Sequence, residues 1–161
     1  MRKPQASRAR RREPLSAKAR AVELLTRREH GARELKRKLI AKGLEAEAAE
    51  AAVDELAAEG WQSDLRYAQA ITRSRARQGY GPRRIAYELA QAGVDAATAD
   101  EAMRLEDCDW HAIAQDWVQR KQTAPPEDPA AVARLRRKLH GRGFDERIVR
   151  SVIAGDDDPS D

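Results

Sequence analysis

The sequence predicts an all-α protein of three tandem three-helix repeats, about nine helices in total. One observation is a register of about fifty residues, which places Leu39, Leu89 and Leu139 at equivalent positions. Another is the composition, because 36% of residues are charged, 4% are aromatic, and no segment alternates like a half-buried strand. Repeats near this length are typical of stacked helical units, so we expect an elongated, curved molecule stacked from end to end.

The register is clearest in the middle helix of each unit. In the central copy Pro82 lies just inside the helix start, Gly93 follows its end, and Ile85 and Leu89 share one face. A single Leu-x-x-x-Leu occurs in any amphipathic helix, whereas three copies in one phase indicate a true repeat. Each copy also ends in a glycine, an apolar residue and an acid: Gly43-Leu-Glu45, Gly93-Val-Asp95 and Gly143-Phe-Asp145.

The first unit, residues 15–60, follows a basic arm, residues 1–14, whose composition predicts disorder. Ser16 can cap a first helix that reaches about Arg28. Glycine then punctuates the unit, since Gly31 starts the second helix and another glycine stops the third.

The second unit, residues 61–106, opens with Ser63 as a helix cap and Asp64 as a first-turn acid. Trp61 stands directly before this cap, and we expect its ring to pack into the joint between the first two units.

The third unit, residues 107–154, carries Trp110 and Trp117 on the inner face of its first helix. Asp128-Pro129 then restarts a helix by the same logic of a cap followed by proline. Residues 155–161 form an acidic tail for which we expect disorder.

Charge and cysteine content limit the class of protein. The formal net charge is only +4, but arginines crowd the first residues and aspartates the last. This split predicts a polyanion-binding arm and a solvating tail, with two merely soluble tails as the alternative. The single cysteine, Cys108, excludes an internal disulfide and fits a reducing compartment. We expect a cytoplasmic protein without a membrane partner, because neither a signal peptide nor a membrane-spanning apolar run is visible.

The sequence offers no pattern of residues that predicts catalysis. His30, His111 and His140 stand far apart, and Cys108-x-x-His111 lacks the second ligand pair of a zinc site. Gly79-Tyr-Gly81 follows a helix and not a strand, so it does not predict a nucleotide site. The carboxylates suit helix caps and i,i+4 pairs. We therefore expect no enzyme, no metal and no cofactor.

Cations are concentrated on the middle helix of each unit, whereas the third helices lean acidic. A solvated helix face is the ordinary role of Lys and Arg, but segregation of sign by face is what binding to a polyanion or an acidic partner needs. Arg37, Tyr87 and Arg137 are equivalent positions, so stacked units would form a stripe of cations around one aromatic ring. The candidate partner-binding or DNA-binding residues, called the basic stripe, are Arg33, Lys36, Arg37, Lys38, Arg83, Arg84, Tyr87, Arg134, Arg136, Arg137 and Lys138.

Two motifs carry a family resemblance. The central unit reads Ser63-Asp64-x-x-Tyr67-Ala68, then Arg73, then Gly79-Tyr-Gly81-Pro-x-x-Ile85-x-x-Glu88-Leu89-x-x-x-Gly93. The first unit reads Leu25-x-x-Arg28-x-x-Gly31-x-x-Glu34-Leu35-x-x-x-Leu39-x-x-x-Gly43. These resemble the core signature and the first repeat of the RecX family of recombination regulators. The resemblance covers about residues 15–153 and is weakest in the third repeat. It departs at Gly31, where a small polar cap such as serine is expected.

The resemblance implies a bacterial cytoplasmic protein that binds the RecA recombinase and inhibits its ATPase, strand-exchange and co-protease activities. Such a protein would lodge in the groove of the RecA filament on single-stranded DNA, or would block filament growth. The alternative is a general single-stranded nucleic-acid-binding protein, which predicts tight, salt-dependent DNA binding without RecA. The single ring in the stripe, Tyr87, argues against that alternative. We expect a monomer that binds the filament and that binds single-stranded DNA weakly or only within the filament.

Overall fold

The structure, a computed structural model, describes residues 15–121 and 128–155. Within these residues the chain forms nine helices and no strand, which confirms the all-α prediction. The helices are α1 (Ala17–Leu25), α2 (Ala32–Ala41), α3 (Ala46–Ala58), α4 (Asp64–Arg77), α5 (Pro82–Gln91), α6 (Ala96–Glu106), α7 (Trp110–Lys121), α8 (Pro129–Gly141) and α9 (Glu146–Ala154).

Each run of three helices surrounds its own apolar core, and we call these runs the first, second and third triads. Leu39, Leu89 and Leu139 lie one in each core, and all three are fully buried. The fifty-residue register therefore does mark equivalent core positions. Trp110 belongs to α7 of the third triad but packs against the core of the second triad. This side chain therefore connects the second and third triads. The unit boundaries stay predictions, and both the basic arm and residues 156–161 lie outside the described residues.

The helix boundaries follow local signals. Ser16 and Ser63 accept backbone N–H groups at the starts of α1 and α4. Gly43, Gly93 and Gly143 have φ values of 87°, 87° and 94°, a left-handed conformation that stops α2, α5 and α8.

The first helix ends at Leu25, three residues before the predicted end near Arg28. Its last turn is tightened because the Thr26 hydroxyl donates to the Glu23 carbonyl at 2.9 Å and the Arg27 N–H to the Leu24 carbonyl at 3.2 Å. Arg28 therefore lies in the turn that leads to α2.

The middle helices of the triads meet end to end at two joints. At the second joint, the Gly81 N–H donates to the Arg142 carbonyl at 2.8 Å and the Arg83 N–H to the Gly143 carbonyl at 3.1 Å. The start of α5 thus lies on the end of α8. At the first joint, the aliphatic part of Arg33 covers Gly93, so that a Cβ added at Gly93 would lie 2.7 Å from Arg33 Cδ.

Both glycine helix starts obtain their caps from the next triad. The Ala32 N–H at the start of α2 donates to Asp64 Oδ1 at 2.8 Å, although Asp64 belongs to α4. Gly31 has no side chain that could cap α2, but Asp64 supplies the cap in its place. The start of α5 is capped by the carbonyls at the end of α8. In contrast, α8 begins with its own cap, because Asp128 Oδ1 accepts from the Ala131 N–H at 2.7 Å.

Arg142 holds the second joint together. Its guanidinium donates to the Gln78 and Gly79 carbonyls at 2.9 and 3.1 Å, and so satisfies the end of α4. The same group lies 4.6 Å from the ring centroid of Tyr80 and 4.5 Å from that of Trp117. A cation held by two carbonyls and two rings has a structural role at this joint.

The expectation for Trp61 was wrong. Its ring is 52% exposed and does not pack into the joint. The space at the joint is closed instead by Gln62, a buried residue whose amide donates to the His30 carbonyl at 3.2 Å and to Asp64 Oδ1 at 2.8 Å.

We expect Leu39→Ala, Leu89→Ala and Leu139→Ala each to lower the free energy of unfolding by about 2–5 kcal/mol, because each deletes a fully buried side chain. Leu89→Ala should cost most, since the central triad has neighbours on both sides. Urea unfolding followed by circular dichroism measures this. Midpoints equal to that of the unmodified protein would refute the register.

Arg142→Met should lower the free energy of unfolding by about 2–4 kcal/mol, since it removes charge-assisted hydrogen bonds and cation–π contacts. Arg142→Lys should cost an intermediate amount, because an ammonium keeps the charge but lacks the planar fork. If Met and Lys had the same effect, the fork geometry would not matter at this joint. Thermal unfolding monitored by circular dichroism provides the measurement.

Candidate functional site

The basic stripe lies on α2, α5 and α8, the three helices that the joints connect. Lys36 and Lys38 are half-buried, and all other members of the stripe are exposed. The face opposite the stripe holds the buried leucines and Ile85. The structure therefore places the predicted residues on three helices in series, with Arg33 at the first joint and Arg83 and Arg84 at the second.

Four cations of the stripe have intramolecular partners. Lys36 pairs with Glu50 of α3 at 2.6 Å, and Lys38 pairs with Glu34 at 3.2 Å. Arg84 pairs with Glu88 at 3.0 Å. In the third triad Arg136 lies 3.8 Å from Glu146. These four cations are therefore partly neutralised, and acidic and basic residues meet where α2 contacts α3.

The remaining cations of the stripe form no ion pair or hydrogen bond through their side chains among the described residues. They are Arg33, Arg37, Arg83, Arg134, Arg137 and Lys138, and we call them the free cations. Other exposed cations of this kind lie outside the stripe, among them Arg27, Arg77 and Arg147. What distinguishes the stripe is that its free cations occur on all three connected helices.

Tyr87 is the exposed ring of the stripe, with 58% of its surface accessible. The guanidinium of Arg84 lies 5.9 Å from its ring centroid. Glu88 fixes this guanidinium, and Glu88 is itself bound by Arg75 of α4 at 2.6 Å. Partial burial raises the pKa of Glu88, but the hydrogen bonds from Arg75 and Arg84 bring it below its usual value. Glu88 is therefore ionised at neutral pH and holds both arginines.

Cys108 and His111 do not form a metal site. The thiol lies 3.9 Å from the Glu106 carbonyl, and burial raises its pKa. His111 contacts the Ser151 hydroxyl at 3.0 Å. Across residues 15–121 and 128–155 no group of His, Cys, Asp and Glu side chains could hold a metal ion. In the same ranges we find no helix with the length and hydropathy needed to cross a membrane.

His30 is a buried base that positions one cation of the stripe. Lys38 Nζ donates to His30 Nε2 at 3.1 Å, because an ammonium can only donate, and Nδ1–H then donates to the Arg28 carbonyl at 3.0 Å. This pattern requires the neutral ring. Burial is the main cause that lowers the pKa of His30, and the charges of Arg28 and Lys38 lower it further. The hydrogen bond to the Arg28 carbonyl and the charge of Glu34 raise the pKa but do not outweigh burial.

Because the pKa of His30 is lower in the folded protein than in the unfolded chain, stability should fall as pH drops through and below about 6.5. The unfolded chain takes up the proton first, so acid favours unfolding. Urea midpoints measured at about pH 7.5 and about pH 5.5 test this. His30→Gln, which does not titrate, should lose less stability over the interval. Equal losses in both proteins would mean that His30 does not titrate differently on folding.

Comparison with known proteins places the chain in a family. Residues 17–56 match the first three-helix domain of RecX, and residues 63–103 match the second. Regulatory protein RecX of Xanthomonas oryzae pv. oryzae (strain MAFF 311018) is 43% identical over 143 residues, which is 85% of this chain and 86% of that protein. Regulatory protein RecX of Pseudomonas entomophila (strain L48) is 40% identical over 145 residues, with coverages of 89% and 94%.

Solved structures agree with the fold. The crystal structure of RecX from Lactobacillus salivarius matches with a TM-score of 0.69 at 17% identity, over 86% of this chain and 93% of that chain. A second crystal structure of regulatory protein RecX matches with a TM-score of 0.72 at 18% identity, over 84% and 69%. The family resemblance seen in the sequence motifs is confirmed, and so is the expectation of a regulator instead of an enzyme. The chain belongs to the RecX family of regulatory proteins, which modulate the RecA recombinase.

Proposed function

We propose that this protein binds the RecA filament on single-stranded DNA through the basic stripe, and that binding inhibits the ATPase, strand-exchange and co-protease activities of RecA. The observation that carries the proposal is the set of free cations on three helices joined in series. Charges without a partner in residues 15–121 and 128–155 are available to phosphates or carboxylates of another molecule. We further propose that the protein acts as a monomer in the bacterial cytoplasm.

The length of the stripe suits a partner with a repeating surface. Helices α2, α5 and α8 contain 10, 10 and 13 residues. At a rise of ~1.5 Å per residue, each is about 15–20 Å long. Free cations on successive helices can therefore contact successive phosphates or protomers along a filament. The charged groups of these cations are not needed for the triad cores, because the side chains are exposed on helices whose leucines are buried, although the aliphatic part of Arg33 covers Gly93 at the first joint.

The test is a triple reversal, Arg37→Glu, Arg83→Glu and Arg137→Glu, which changes one free cation in each triad. Each exposed contact contributes on the order of 0.5 kcal/mol, so three independent contacts should weaken inhibition of RecA ATPase on single-stranded DNA about tenfold. Helicity and melting should stay unchanged. The concentration for half-maximal inhibition is the quantity to measure.

The matched control is Arg27→Glu, Arg77→Glu and Arg147→Glu, which changes the net charge equally. These exposed arginines lie outside the stripe, and their side chains have no ion pair or hydrogen bond within the part of the chain that the structure describes. This control should inhibit nearly as well as the unmodified protein. Equal loss in both triples would show that only net charge matters. Loss in the control alone would place the RecA contact outside the stripe. The general DNA-binding alternative would be favoured if the protein bound single-stranded DNA equally tightly without RecA.

A further inference from the structure

Tyr87 is a large apolar ring that the fold does not bury. It lies on the side of α5 opposite Ile85 and Leu89, and 58% of its surface is exposed. The equivalent positions in the other triads hold free cations, Arg37 and Arg137. An aromatic ring at this position therefore adds nothing to the repeat core, and it interrupts a series of charges.

The surroundings of the ring carry more positive than negative charge, since Arg75, Arg83 and Arg84 stand against Glu88. Arg84 is held 5.9 Å from the ring centroid by Glu88, and Arg75 holds Glu88 from the neighbouring helix. Arg83 stands one turn before Tyr87 on the same face and is a free cation. The site thus offers an exposed ring beside one paired and one free guanidinium.

We infer that Tyr87 stacks on a base of single-stranded nucleic acid, and that Arg83 and Arg84 bind the flanking phosphates. Proteins that hold a single strand without reading its sequence combine a positively charged groove with several aromatic rings, on which successive bases stack. One ring is too few to hold a strand unaided, but Tyr87 can stack on one base of a strand that the filament already holds. The inference rests on the proposed function, and the strand concerned would be the one in the filament. In a duplex the base faces are covered by neighbouring pairs, so the ring should distinguish single strands from duplexes.

Substitutions at Tyr87 separate stacking from charge. Affinity for a single-stranded oligodeoxythymidine, measured without RecA at low salt, should fall about fivefold to a hundredfold in Tyr87→Leu and little in Tyr87→Phe. Affinity for a duplex should be the same in the unmodified protein, Tyr87→Leu and Tyr87→Phe. Tyr87→Arg places at this position the residue found in the other triads. It should strengthen duplex binding by charge while the preference for the single strand is lost.

Photocrosslinking tests the contact directly. An oligonucleotide carrying 5-iododeoxyuridine, irradiated with the protein alone and with the RecA filament, should crosslink to Tyr87 when the peptides are mapped by mass spectrometry. Trp61 is the internal control, because its ring is 52% exposed but lies outside the stripe. Crosslinking at Trp61 in place of Tyr87, or at neither residue in either sample, would overturn the inference.

Two further outcomes separate this inference from the proposed function. If Tyr87→Leu lost RecA inhibition but retained oligonucleotide affinity, the ring would contact protein, and the inference would fail while the proposed function stood. If the protein did not inhibit RecA and yet Tyr87→Leu lost single-strand affinity, stacking would stand and the proposed function would fail.

Discussion

The packing of the third triad against the second depends on the backbone contact between Gly81 and Gly143. A Cβ at Gly81 would lie 2.6 Å from the carbonyl carbon of Gly143, so any side chain there would force the two helices apart. Close approach lets the last carbonyls of α8 accept the first N–H groups of α5. The negative end of one helix dipole thereby meets the positive end of the next, which is the favourable direction. Arg142 then clamps α4 onto the same joint.

The leucine register and the helix stops could be predicted because both are local signals with a fixed period. The joints could not, because their partners are distant in sequence. Asp64 caps a helix that starts 32 residues earlier, and Arg142 contacts carbonyls more than 60 residues away. Nothing in the repeat register identifies Arg142, since the equivalent positions hold Lys42 and Ala92. Trp61 was placed wrongly for a similar reason, as the polar group that fills the joint is Gln62.

For the candidate site, too, features within one helix could be predicted from the sequence, whereas contacts between helices could not. Counting charges per helix located the basic stripe, but the sequence could not say which cations are already paired. Lys36 is bound by Glu50 of α3, a residue that helical spacing within α2 cannot reveal. The structure thus reduces the stripe to fewer available charges. It also shows that the acidic third helices are not a separate face, because Glu50 reaches the basic one.

The middle helices of the three triads differ in where their N-terminal caps come from. Helices α2 and α5 each follow a glycine and take their cap from the following triad, whereas α8 is capped by Asp128, the residue directly before it. The start of each of the first two middle helices therefore obtains its protein cap only when the next triad is folded against it. The third triad needs no following triad for this purpose, because Asp128 caps the start of α8. An engineered chain with an additional repeat would accordingly accept it ahead of α7, with a glycine start of its own, and not after α9.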